Sequence, residues 1–226
     1  MRVLTWNIWN GGLGRLDAIE RVLREQDADL VALQEATDRA AVAALGARLG
    51  MEVVYGEANS EFSVAWLSRL TVARAQNHRL PQLEKTLLEI EVEDRRLFAT
   101  HLSAGRTRAD EPRRVAEVEA ILQHVGEGDV LVGDFNAVHP DDEVGAPPPE
   151  EQAPANYVSR RPIEFVLEAG FTDCFRALNP DQRGWTYLAW HPWARLDYVF
   201  ARQRAPACTV VETQASDHFA VVAELD

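Results

Sequence analysis

The chain has 226 residues, 46% of them hydrophobic, enough for one sizeable core in a single domain spanning 1–226, or at most two small domains. A formal charge of −13 and a pI near 4.9 exclude a surface that grips a polyanion on all sides, though not a local basic patch. No apolar run approaches the roughly 18 residues of a membrane span, and the strand-like stretch straight after Arg2 leaves no leader with a cleavage site. Cys174 and Cys208 lie far apart and read as small buried thiols, which fits a reducing cytoplasm; a lone disulfide is the other option. Lys85 is the only lysine among 23 basic residues, a bias from which no function follows.

In chain order, residues 2–8 read as a strand, and 15–25 place Leu16, Ile19, Val22 and Leu23 on one helical face. Residues 29–35, "DLVALQE", form a short apolar strand ending in Gln34 and Glu35. Thr37 is the expected cap of a helix that runs to Gly50. "EVVYG" and "FSVAWLSR" read as strands, and 86–92 with 96–102 as a hairpin turning at Glu93–Arg95. A helix follows over about 111–125, with Pro112 in its first turn, then a strand over 129–133. Residues 143–156 are rich in proline and acid and read as a surface loop. "RPIEFVLEAG" is a short helix, and strands near 184–190, 196–201, 208–213 and 218–224 finish the chain. Interleaved helices and strands with frequent hairpins predict an α/β sandwich of mixed sheets.

Polar residues recur where these strands end. Asn7 follows "VLTW", Glu35 follows "LVALQ", His101 follows "LFAT", and Asp134 and Asn136 follow "VLVG". Asp197 lies in "RLDYVF", and Asp217 and His218 precede "FAVVAEL". Each has a bland reading: Glu35 as a helix cap, Asn7, Asp134 and Asn136 as turn residues, His101 as a structural histidine. Recurrence at six places favours a shared site, because ligands gather at strand ends in α/β proteins. Carboxylate and amide oxygens are hard ligands suited to Mg²⁺ or Mn²⁺, and the absence of C-x-x-C and H-E-x-x-H leaves zinc little support. The two histidines remain to orient water, stabilise phosphoryl charge or assist a leaving group.

"TWNIWNG", "LQE", "THL", "GDFN", "RLDYVF" and "SDHFAV" occur in the order found in the endonuclease/exonuclease/phosphatase superfamily. This group includes deoxyribonuclease I-like nucleases, apurinic endonucleases, sphingomyelinases and inositol polyphosphate 5-phosphatases. The chain resembles it from residue 4 to residue 222, most specifically in "GDFN" and "SDHFAV". The resemblance implies four layers, two packed mixed sheets flanked by helices, and metal-dependent phosphoester hydrolysis. It implies Glu35 as the principal metal carboxylate, with Asn7 and Asp217 completing or supporting that site. Asp134 and Asn136 resemble the pair that positions water and phosphate. His218 would touch phosphate with Asp197 holding its ring. His101 would stabilise phosphate or protonate the leaving oxygen, with Glu61 as its acidic partner.

The substrate is not fixed by such a resemblance. The expected partner is a phosphoester, with nucleic acid, lipid and small phosphoesters all open, and the oligomeric state, a monomer among the options, is open as well. Arg106 and Arg108 follow His101 and could line the cleft, or belong to a solvated loop. Trp185 could stack on a base or lipid edge, or simply pack at the rim.

Overall fold

The structure, a computed structural model, describes residues 1–149 and 158–226. Two six-stranded mixed sheets face each other. The first has the order β11 (Ala207–Val211), β12 (Ala220–Glu224), β1 (Arg2–Asn7), β2 (Leu30–Gln34), β4 (Val64–Ser68), β3 (Glu52–Gly56). The second has the order β5 (Arg74–His78), β6 (Leu87–Val92), β7 (Arg95–His101), β8 (Val130–Asp134), β10 (Asp197–Ala201), β9 (Thr172–Asp173).

Strands β2, β4, β8 and β10 are buried along their full length, which explains their nearly unbroken apolar runs: each covers something on both faces. Val3, Leu30 and Trp66 of the first sheet meet Leu88, Leu97, Val132 and Val199 of the second in the central core. The outer face of the first sheet packs on α1 (Leu16–Gln26) and α2 (Arg39–Leu49) through Ile19, Leu23, Val42 and Leu45. The outer face of the second packs on α3 (Glu111–Leu122) and α4 (Arg161–Glu168) through Val118, Ile121, Ile163 and Val166. This is the four-layer α/β sandwich that the resemblance implies. Among the described residues no helix is long and apolar enough to cross a membrane.

Several local expectations change. Asp38, not Thr37, caps α2, accepting from Ala40 and Ala41 N–H. Residues 184–190 form no strand; Tyr187 makes only isolated bridges, to Ala194 and His218, because this segment arches over the ends of both sheets. The edge strand β5 and the short α5 (Cys174–Leu178) carry no sequence signal that announces them; β5, "RAQNH", is polar and largely exposed. Both cysteines are free and buried. Residues 150–156 of the expected loop lie outside the described residues. Its described part is fixed against the site's flank, with Gly145 N donating to Trp193 O at 2.7 Å.

Register aligns the site. β1 runs parallel to β2 with Asn7 beside Gln34, and β7 runs parallel to β8 with His101 beside Asp134. β10 runs antiparallel to β8 and sets Asp197 opposite Asp134. His101, Asp134 and Asp197 therefore stand in one row at one end of the second sheet, and Asn7 and Glu35 stand at the same end of the first.

Candidate active site

The strands stop abruptly at this end, and the backbone shows how. Gly133, at φ 146°, lets β8 press against β7: a Cβ there would lie 2.0 Å from Thr100 O. Glu35 and Asn136, the residues that leave β2 and β8, adopt left-handed φ values of 55° and 47°. Asn136 is held in this turn at two points: its N–H donates to Asp134 Oδ1 at 2.9 Å, and its Nδ2 to Leu102 O at 3.1 Å. The Gly-Asp-Phe-Asn run is thus the end of β8 followed by a bend at Asn136, which fixes a buried carboxylate in place.

A cavity of about 280 Å³ opens here, lined by Asn7, Glu35, His101, Asp134, Asn136, Asp217 and His218. Asp134 is 1% exposed and lies between two imidazoles, with His101 Nε2 at 3.3 Å and His218 Nε2 at 3.8 Å from Oδ2. Asp197, fully buried behind the cavity wall, meets His218 Nδ1 at 2.8 Å. Asn7 Nδ2 donates to Asp134 Oδ2 at 3.0 Å and to Glu35 Oε1 at 3.2 Å, joining the two sheets' carboxylates.

The histidines are driven in opposite directions. Burial disfavours the imidazolium of His218, but the carboxylates of Asp197 and Asp134 outweigh it and push the ring up to about 10. His101, also buried, is pushed well below its ordinary range by desolvation, reinforced by the nearby Lys85 and His218 charges, so it stays neutral. The Asp134 carboxyl is raised by burial, against the pull of His218. Burial also raises Asp217, and neighbouring Glu35 adds to the rise.

Asp134, Asp197 and His218 bring three ligand-type atoms within 4.8 Å of one another. This trio is closed to an ion on one side, because His218 Nδ1 is already hydrogen-bonded to Asp197. The better fit for a divalent cation is the open mouth, where Glu35 and Asp217 present hard oxygens beside Asp134 and the Glu35 charge adds to the proton affinity of Asp217. As placed, Asn7 turns its NH₂ toward the carboxylates while its Oδ1 accepts from Trp9 N–H at 3.0 Å; acting as an oxygen ligand requires its amide to turn over.

Other expected residues fall elsewhere. Arg106 lines the cavity, its Nη2 3.2 Å from the Tyr187 hydroxyl, whereas Arg108 is exposed and outside it. Glu61 is exposed and not hydrogen-bonded to His101, whose Nδ1 has no partner among the described residues; it is Phe62 that packs edge-on against the ring. Trp185 lies off the cavity, its indole N–H donating to Glu143 O; Trp193 lines the cavity instead.

Sequence reasoning missed Lys85 and Tyr187. Lys85 is 2% exposed, donates to Leu102 O at 2.8 Å and lines the cavity. Its singularity in the chain was the one available signal. Tyr187 places its ring 4.7 Å from that of His218, and burial pushes its hydroxyl up to about 12.

Residues 4–218 match the model of the Endonuclease/Exonuclease/phosphatase family, and the chain belongs to that family. Its fold is close to that of a 3′-5′ exonuclease from Neisseria meningitidis, with TM-score 0.82 and 22% identity over 100% of both chains. An AP endonuclease from Archaeoglobus fulgidus matches with TM-score 0.82 and 20% identity over 100% of this chain and 99% of that one. TDP2 from C. elegans matches with TM-score 0.71 and 20% identity over 98% and 74%. No curated protein sequence matches the chain. Family membership places the protein among phosphoester-cleaving enzymes.

Proposed function

We propose that this protein is a divalent-cation-dependent phosphodiesterase acting on nucleic acid, built as one domain. The observation that carries the reading is Asp134 held between the imidazoles of His101 and His218 at the edge of a carboxylate-lined cavity. The related folds described as an exonuclease and an AP endonuclease support nucleic acid as the substrate class.

Asp134, made more basic by burial, accepts the proton of the attacking water, and Asn136 N–H holds its carboxylate in position. His218, kept cationic by Asp197, faces the negative charge that grows on the phosphoryl oxygens. His101 is neutral, so it serves as a hydrogen-bond donor to phosphate rather than as a proton source. Arg106 meets phosphate at the mouth. Glu35 and Asp217, with Asn7 once its amide turns, would hold Mg²⁺ or Mn²⁺. Bound there, the cation supplies Lewis-acid polarisation of a phosphoryl oxygen.

The test is turnover of single-stranded, duplex and abasic DNA, bis-p-nitrophenyl phosphate, sphingomyelin and inositol phosphates, in EDTA and after adding back Mg²⁺ or Mn²⁺. Oligonucleotides are cleaved only with the cation, and Glu35→Ala and Asp217→Ala need more of it for half-maximal rate. Undiminished turnover in EDTA overturns the cation requirement. Cleavage confined to sphingomyelin or inositol phosphates overturns the nucleic-acid assignment.

A further inference from the structure

Trp9, Leu13 and Trp190 are the large hydrophobic side chains left exposed among the described residues, at 43%, 77% and 53%. Such residues scattered singly need no explanation, but these are gathered. Trp9 and Leu13 share one loop, and the Trp190 ring lies 5.8 Å from that of Trp9 at an interplanar angle of 48°. The two planes form an open notch rather than a closed stack.

The notch is tied to the cavity from both sides. Trp9 N–H donates to Asn7 Oδ1 at 3.0 Å, and the next residue, Asn10, donates its N–H to Glu35 Oε2 at 2.7 Å. On the other side Ala189 N donates to Asp217 O at 2.7 Å. Trp9 and Asn10 both hold left-handed φ values of 49°, an uncommon conformation for residues other than glycine. The loop beneath packs closely on the residue that precedes the α2 cap: a Cβ on Gly11 would lie 2.6 Å from Thr37 Oγ1. Arg15 packs its guanidinium 4.7 Å from the centre of the Trp9 ring and donates to Ala215 O and Trp9 O, bracing the notch.

We propose that Trp9 and Trp190 form a base-stacking subsite that takes an unpaired nucleobase beside the scissile phosphate. This deepens, and rests on, the phosphodiesterase reading. Two indole faces offer planar, sequence-tolerant contact to any base. Stacking also suits an acidic protein: it supplies affinity that a surface of charge −13 cannot draw from phosphate. A bilayer anchor fits less well, since it carries a strongly basic flank, whereas Arg15, which packs on this notch, stands against the charges of Asp217 and Glu35.

The experiment measures equilibrium binding in EDTA at low salt, so that no turnover is needed. The probes are fluorescein-labelled oligothymidylate and an oligomer of equal length whose sugars are abasic. Trp190→Ala weakens oligothymidylate binding about tenfold and leaves the abasic oligomer unchanged, while Trp190→Phe restores most of the loss. Trp190 is on the surface, and an unchanged melting temperature checks that the fold is intact. No oligothymidylate binding by the wild type, equal losses on both probes, or no loss on either overturns the subsite. So does loss of binding to phosphatidylcholine vesicles in Trp190→Ala with oligonucleotide binding intact. A base-dependent loss in a protein that cleaves no oligonucleotide leaves the subsite standing and fails the phosphodiesterase reading alone.

Discussion

Two clusters of buried charge lie near the start of β10, and they are built on opposite plans. In one, Arg195 is fully buried and ion-paired with Asp142 at 2.8 Å and Asp173 at 2.6 Å, while Arg176 reaches Asp142 at 2.6 Å. Charge answers charge, and the cluster fastens the segment after Asn136 to α5, whose first turn Asp173 caps. In the other, Asp134, Asp197, His101 and His218 are buried beside a cavity and, among the described residues, ion-pair only with one another, carboxylate to imidazole. The first spends its charges on holding the fold. The second sets titratable imidazoles against its carboxylates at the wall of a cavity, where they can respond to a substrate.

Breaking the first cluster gives the largest effect. Arg195→Ala strands Asp173 without its counter-charge and leaves Asp142 to Arg176, in a place closed to water, and the expected loss is about 3–5 kcal/mol, read by urea denaturation. A loss below about 1 kcal/mol would mean that the ion pairs contribute little to holding the fold.

The second cluster responds in rate. His218→Ala should lower kcat about a hundredfold, the usual scale for one positioned transition-state contact, while costing less stability than Arg195→Ala because cavity water can replace the ring. Asp197→Ala should lose most of that factor, and the double variant should be little worse than His218→Ala, since the two act as a unit through one 2.8 Å hydrogen bond. Multiplying losses would show that Asp197 does not serve His218.

The smallest effect sharpens the boundary of the cavity. Arg106→Ala should raise KM for an oligonucleotide a few-fold and reduce its salt dependence, and exposed Arg108→Ala should do neither. Equal effects would place the phosphate path across both residues.

Much of this site is legible in the chain because its parts are local. A buried strand that ends in Asn7, Glu35, His101 or Asp134 announces a polar group at its tip. A strand end is also where side chains can face a cavity without breaking the ladder. The same logic fails for Glu61, which has an acidic side chain near the right place in sequence but points to solvent, and for Trp185, which gives way to Trp193 eight residues on. Neither direction is encoded in a neighbouring residue.

By itself the sequence determined the family, the α/β layering and which polar residues stand at the strand ends, since apolar runs and strand-end motifs are properties of short segments. Tertiary structure alone decided who faces whom. It set Asp197 opposite Asp134 through the β8–β10 register, giving geometry to the His218–Asp197 pairing that the resemblance already implied, and it buried the single lysine beside Asp134 and His101. It also brought Trp190 to Trp9 from the far end of the chain. The physical reason is that charge state and contact depend on desolvation and on distances across two sheets, and both arise only when strands remote in sequence close over one cavity.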